Sequence, residues 1–124
     1  EARALSLEGD SGPYLQYAHA RARALIEKGA QAGVTPASHG MGTGLERMLV
    51  RFPMIAARAA LELAPQYVTT YLTELASEFN AWYAREQILD GTPNAAHKLA
   101  IVVAVATTLK NGLSLLGIHA PERM

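Results

Sequence analysis

The stretch SGPYLQYAHARARALIEKG, residues 11–29, decides the fold class of this chain. Proline is well tolerated in the first turn of a helix, and Pro13 follows a serine and a glycine, two residue types that cap helix N-termini. Alanine, leucine and arginine dominate the run that follows, and all three favour helix. The stretch therefore predicts a first helix over residues 13–28, which Gly29 is expected to end.

The rest of the chain keeps the same helical period, with apolar residues at steps of three and four. The predicted elements are a short helix at 45–51, a helix at 53–62 with Leu63 on its inward side, a long helix over 65–89 and a last helix capped by Asn94. Residues 29–44 are rich in glycine and predict a loop. Because no segment shows the alternation of a strand, we expect an all-α bundle of four to five helices.

Composition narrows the class of protein further. The chain has 124 residues, half of them hydrophobic, which suits one domain with its own core. It contains no cysteine, so disulfides and thiolate metal sites are excluded. The absence of a long charge-free apolar run leads us to expect a soluble, cytoplasmic protein.

Charge is balanced overall and uneven locally. Eleven basic side chains match eleven acidic ones, so the net charge indicates no nucleic-acid partner. Residues 21–58, however, hold six basic side chains against two acidic ones. This local excess is compatible with an RNA-binding surface and equally with an ordinary solvated helix face.

Sequence signatures of catalysis and metal binding are missing. The four histidines are scattered without the spacing of a zinc helix. The GMGTG run at residues 40–44 lacks both the preceding strand and the spacing of a phosphate-binding loop, and no serine sits in a nucleophile elbow. We expect no catalytic or metal site in this chain.

One stripe of the first predicted helix has side chains of the types that bind RNA. Tyr14, Tyr17, Arg21 and Leu25 are spaced three, four and four apart, so they share one face of the first helix. Such a stripe is commonly half-buried core. Tyrosine rings also stack on unpaired bases, and an arginine one turn away can meet phosphate, as in single-stranded RNA recognition. Tyr83 adds a further ring with the same two interpretations.

Three segments resemble one family. LEGDSGPYLQYAHAR (residues 7–21) resembles the start of the C-terminal, all-helical anticodon-binding domain of arginyl-tRNA synthetases, the DALR type. YLTELASEFNAWY (residues 71–83) and LKNGLSLLGIHAPERM (residues 109–124) resemble that domain's middle and closing sequences, down to the final methionine. The resemblance spans the whole chain and implies the helical bundle of a class I synthetase anticodon-binding domain.

The resemblance also implies a function and a set of site residues. In the family this domain grips the anticodon end of arginine tRNA for protein biosynthesis. The positions expected to face the anticodon loop are Tyr14, Tyr17, Arg21, Leu25, Tyr83 and Met124, with Arg23 and Lys28 expected to meet the RNA backbone. Because Pro121 stops the last helix, the ending APERM is expected to fold back toward the first helix and to place Met124 beside Tyr14 and Tyr17.

The chain departs from a complete synthetase of that family. It contains neither H-I-G-H nor K-M-S-K-S, the two signatures that handle ATP in such an enzyme. The resemblance implies that ATP and Mg²⁺ act in an absent catalytic domain of the same parent chain. Residues 1–12 are then expected to form a junction from that domain, and residues 13–124 the anticodon-binding domain with its loop at 29–44. We expect this chain to be inactive as a ligase by itself and to need no cofactor.

Two other function classes stay open at this level. One is a helical protein–protein interaction domain with no RNA binding, in which the aromatic stripe docks a partner helix. The other is a small enzyme whose site has no recognisable signature, which would require clustered titratable groups in a pocket.

Overall fold

The computed structural model describes residues 11–37 and 44–124, and this part of the chain forms five helices. Their bounds are α1 Ser11–Gln31, α2 Gly44–Leu49, α3 Phe52–Leu61, α4 Gln66–Arg85 and α5 Asn94–Leu115. The predicted all-α bundle is confirmed. Helix α1 begins at Ser11, two residues before the predicted start, and most of the expected junction at 1–12 lies outside the described residues.

Helices α4 and α5 form the centre of the bundle. Helix α4 packs against all four other helices, and helix α5 packs against α1, α2 and α4. The length and composition of α5 would by themselves suit a helix that crosses a membrane, with a mean hydropathy of 1.3 over the most apolar window. Its buried face, which includes Leu99, Val102, Val105 and Leu109, is covered by the neighbouring helices, and that packing accounts for its apolar composition.

Two glycines let the helices approach closely. A β-carbon added at Gly29 would lie 2.5 Å from a δ-carbon of Leu99, and one at Gly112 would lie 2.6 Å from a δ-carbon of Leu72. Gly29 therefore belongs to a packed helix, and α1 continues to Gln31, so the predicted loop start at residue 29 is wrong. The loop's centre, residues 38–43, lies outside the described residues.

The connection between α4 and α5 also differs from the prediction. Helix α4 ends at Arg85, four residues before the expected end at Leu89, and the N-cap of α5 is Pro93, whereas Asn94 is the first residue of the helix. The turn is organised instead by Asp90, whose carboxylate accepts hydrogen bonds from the Thr92 hydroxyl at 2.6 Å and the Thr92 N–H at 3.0 Å. These bonds hold the pKa of Asp90 at about 2.

Leu63 contradicts the prediction that it faces inward. It follows the end of α3 in the left-handed region, with φ of 51°, and its side chain is exposed. The Ala64 N–H donates to the Ala59 carbonyl at 2.9 Å, which is the bond pattern that closes a helix through a left-handed residue. Helix closure therefore turns Leu63 out of the apolar stripe that the helical period would assign to it.

We predict that Gly112→Ala destabilises the bundle. The new methyl group would lie within 3.0 Å of three carbon atoms of Leu72, which is fully buried. Overpacking costs about 1–3 kcal/mol, whereas the higher helix propensity of alanine returns about 1 kcal/mol. A urea or thermal unfolding curve should show a net loss of stability.

Gly44→Ala is the matched control for this substitution. No atom lies within 4 Å of its added β-carbon, so the same chemical change at the first residue of α2 should leave the unfolding midpoint unchanged or raised. A Gly112→Ala variant as stable as the unaltered chain would mean that Leu72 rotates away without cost.

Candidate nucleic-acid interface

Helix α1 turns two tyrosines toward solvent. Tyr14 is 37% exposed and Tyr17 is 60% exposed, whereas Leu15 and Ala18, between and beside them, are buried. The open choice between core and surface is therefore settled for Tyr17, which lies largely at the surface. Leu25 differs from its predicted role, because it is only 8% exposed and packs in the hydrophobic core.

A groove of about 640 Å³ lies beside this face. We call it the α1 groove. It is lined by residues of α1, by the end of α4 and by the last residues of the chain, and among them are Tyr17, Arg21, Lys28, Tyr83 and Met124. Five of the positions predicted from the sequence thus meet at one concave surface, and buried Leu25 lies at its wall.

Arg21 is held in place by two contacts from α4. Its Nη1 donates to Oδ1 of Asn80 at 3.0 Å, and its guanidinium carbon lies 4.5 Å from the centre of the Tyr83 ring. The Tyr83 ring also packs beside Phe79, with ring centres 6.2 Å apart. Tyr83 is therefore a support for Arg21, whereas the exposed ring of Tyr17 keeps its surface available for a ligand.

Tyr14 lies in a second, neighbouring groove of about 350 Å³. Tyr17 and Arg21 line both grooves, and Asn80 links them, because its Nδ2 donates to the Tyr14 hydroxyl at 3.3 Å. Met124 lines only the α1 groove. Met124 thus shares a groove with Tyr17, whereas Tyr14 lies in the neighbouring one.

The tail, residues 119–124, runs along α1 in the same direction as the helix. Gln16 donates a hydrogen bond to the His119 carbonyl at 2.8 Å. About one turn further along α1, the ring of His19 makes a hydrogen bond with the Pro121 carbonyl, also at 2.8 Å. Further along, Arg23 pairs with Glu122 and Glu27 pairs with Arg123. The tail therefore returns to the first helix, as the sequence predicts.

The charges around the α1 groove are mixed. Arg21, Lys28 and Arg123 supply positive charge, and Glu27 and Glu122 supply negative charge. Arg23, predicted to meet an RNA backbone, does not line the groove, and its Nε lies 3.1 Å from a carboxylate oxygen of Glu122. Its partner in the structure is therefore the tail.

Comparison with known proteins places the chain in a family. The DALR anticodon binding domain family matches residues 15–124. The chain belongs to that family. The DALR domain described here is 39% identical to part of the arginine–tRNA ligase of Ignicoccus hospitalis over 97% of this chain, and 38% identical to part of that of Exiguobacterium over the same share.

Solved structures agree with the sequence comparison. The arginyl-tRNA synthetase of Thermus thermophilus superposes on 96% of this DALR domain with a TM-score of 0.78 at 37% identity. A putative arginyl-tRNA synthetase of Campylobacter jejuni superposes on 93% with a TM-score of 0.79 at 26% identity. The chain spans about one fifth of the length of its curated relatives, 20% and 22% of the two named above.

Sequence reasoning missed several residues of the interface. Asn80 lies one helical turn before Tyr83, so its place on the same face of α4 was readable from the spacing. The pairing of Arg23 with Glu122 joins residues 99 positions apart, and helical periodicity carries no signal for such a contact. His19 was weighed only as a metal ligand, and the DALR domain uses it to hold the tail.

We predict that Tyr17→Ala leaves the DALR domain almost as stable as before. The ring is largely exposed, so its loss should cost less than about 1 kcal/mol. Tyr71→Ala is the comparison, because that ring is buried and its hydroxyl donates to the Met48 carbonyl at 2.6 Å. It should cost about 3–5 kcal/mol. Similar unfolding midpoints for the two variants would place Tyr17 in the core.

Proposed function

We propose that this domain binds the anticodon loop of arginine tRNA through the α1 groove. The observation that carries the proposal is a largely exposed tyrosine beside an arginine that is already held in position, in a member of the DALR family. The named relatives are arginine–tRNA ligases and arginyl-tRNA synthetases, which supports arginine tRNA as the ligand.

Tyr17 supplies a stacking surface in this proposal. Anticodon bases are unpaired, and single-stranded RNA is commonly bound by stacking its bases on aromatic side chains. Each such stack is worth about 1–3 kcal/mol by alanine substitution. Tyr17 is the more exposed of the two surface tyrosines of α1, and it lines both grooves, so a base on its ring would lie between them.

Arg21 supplies charge and hydrogen-bond donors without a large ordering cost. A guanidinium has five N–H donors, and the bond to Asn80 uses one of its nitrogens. Contact with the Tyr83 ring fixes the plane of the group before a ligand arrives. Preorganisation of this kind improves affinity because fewer rotamers are lost on binding.

Lys28 and Arg123 extend the positive charge along the same groove. Both are exposed side chains, so they can reach phosphates of a backbone that passes over α1. Their charge neutralises phosphate and releases counterions, which makes the affinity depend on salt.

The remaining partners in the proposal belong to a parent enzyme. We infer a catalytic domain in the same chain that binds ATP and Mg²⁺ and attaches arginine to the tRNA, in the cytoplasm. The described residues would then contribute the hold on the anticodon end and none of the ATP chemistry.

We predict that binding of arginine tRNA weakens steeply with salt. With two or three groove cations on phosphates, affinity should fall roughly 7–20-fold between about 50 and about 200 mM salt, from the usual counterion slope for single strands. A filter-binding titration with arginine tRNA and a non-cognate tRNA at both salt concentrations measures this change. Equal affinity at both concentrations, or for both tRNAs, would contradict the proposal.

Two arginines form a matched pair for this experiment. Arg58 lies over the Tyr67 ring at 4.6 Å, much as Arg21 lies over Tyr83, but it lines neither groove. Arg21→Ala should weaken binding and lower the salt slope by about 0.7, the contribution of one cation on a single strand. Arg58→Ala should change neither quantity.

We predict that Tyr17→Ala weakens RNA binding by about 1–3 kcal/mol, because it removes one base stack. Tyr17→Phe keeps the ring and should bind nearly as well as the unaltered domain. If the two substitutions weaken binding equally, the hydroxyl and not the ring makes the contact, and the stacking role is wrong.

A further inference from the structure

His19 is a buried polar residue in the middle of the proposed RNA-binding helix. Its side chain is 1% exposed, and it is the one buried polar or charged residue among those the structure describes. It therefore cannot contact an RNA directly. Its hydrogen bond is to the tail, with Nδ1 lying 2.8 Å from the Pro121 carbonyl oxygen.

The chemistry of this bond fixes where the proton lies. A carbonyl oxygen can only accept, so Nδ1 must carry the hydrogen and donate it. A buried polar group without a hydrogen-bond partner costs free energy. If no water enters the site, separation would leave both His19 and the Pro121 carbonyl without a partner. The bond therefore selects the conformation in which the tail lies on α1.

The other tail contacts are weaker anchors. The Arg23–Glu122 and Arg123–Glu27 pairs are between largely exposed side chains, and the second is 3.7 Å long. Solvent and salt screen exposed pairs, so they contribute little to holding the tail. The Gln16 bond to the His119 carbonyl is also exposed. The His19 bond is the anchor that solvent reaches least.

The tail matters to the α1 groove because its last three residues, Glu122, Arg123 and Met124, form one wall of that groove. Pro121, which His19 holds, immediately precedes them. Release of the tail would remove this wall while leaving Tyr17 and Arg21 on α1.

We propose that His19 is a positioning residue for RNA binding: its bond to the Pro121 carbonyl holds the tail on α1 and so builds the tail wall of the α1 groove. This inference rests on the proposed function, in which the groove binds the anticodon loop. His19 acts through the tail and touches no RNA.

The charge state of His19 does not decide this bond. Burial lowers the pKa of His19 below its usual 6.5, because a charged ring would lose its hydration. The two contributions from the tail act the other way, because the Pro121 carbonyl and Glu122 both favour protonation. Nδ1–H donates to the carbonyl in the neutral and in the charged ring, so the latch depends on the donor and not on a titration.

Two substitutions separate the donor from the bulk of the side chain. His19→Asn keeps an N–H donor near the position of Nδ1, whereas His19→Leu removes the donor and keeps an apolar side chain of similar bulk. Tail docking is followed without RNA by NMR of ¹⁵N-labelled chain, using the amide signals of residues 122–124. RNA affinity is measured with the anticodon stem-loop of arginine tRNA.

We predict that His19→Leu has a released tail and about tenfold weaker RNA binding than the unaltered chain, the usual consequence of losing one buried hydrogen bond. His19→Asn should restore both readouts, because it keeps the donor. His119→Asn, a change to an exposed ring on the tail, should leave both readouts as they are in the unaltered chain.

The outcomes separate the inference from the proposed function. A tail that stays docked in His19→Leu, or one that is released in His19→Asn, overturns the latch. A tail that is released without loss of RNA affinity overturns the positioning role. If the unaltered chain fails to bind the stem-loop, the proposed function is overturned, and the NMR arm still decides whether His19 holds the tail. If His19→Leu does not fold, His19→Ala takes its place, because alanine also lacks the donor.

Discussion

Helix α1 can lie close to α5 because its buried side carries mostly small residues, alanines and glycines, with Leu15, His19 and Leu25 as the larger members. At Gly29, Leu99 fills the space that a β-carbon would take, so the two helices pack closely there. Since the tail continues from the end of α5, the packing of α5 on α1 brings residues of the tail within reach of side chains of α1.

The reversal after α5 supplies the second half of that geometry. Gly117 adopts φ of 76°, the Ile118 N–H donates to the Leu113 carbonyl at 2.8 Å, and the Gly117 N–H donates to the Ser114 carbonyl at 3.0 Å. This is the bond pattern of a Schellman motif, for which glycine is the favoured residue. It ends α5 and redirects the chain over α1, so that a short tail without helix or strand is placed by backbone geometry at its start and by His19 further along.

The sequence predicted those features that helical periodicity controls. Spacing alone places Tyr14, Tyr17 and Arg21 on one face of α1 and predicts the all-α class, but it leaves open whether that face is core or surface. Periodicity says nothing about which of two equally apolar positions a neighbour covers, and for that reason the burial of Leu25 and the exposure of Leu63 were missed. Glycine is ambiguous in the same way, because a residue that ends helices is also the residue that permits close packing, as at Gly29. The return of the tail was predicted from resemblance and from the helix-ending Pro121, whereas its individual partners on α1 depend on contacts about 100 residues apart in sequence.

A groove assembled from the first helix and the last residues of the chain has a consequence for its stability. Its walls are joined by few contacts, most of them exposed, whereas the helices beneath are joined by a continuous apolar core. Local opening free energies follow such differences, so the tail can leave α1 without unfolding the bundle. A ligand that contacts both walls binds the closed form only and therefore stabilises it by mass action. Tail order and ligand affinity are therefore linked. Each buried contact of the tail raises the fraction of molecules whose groove is complete before a ligand arrives, and the contact made by His19 is the most buried of them.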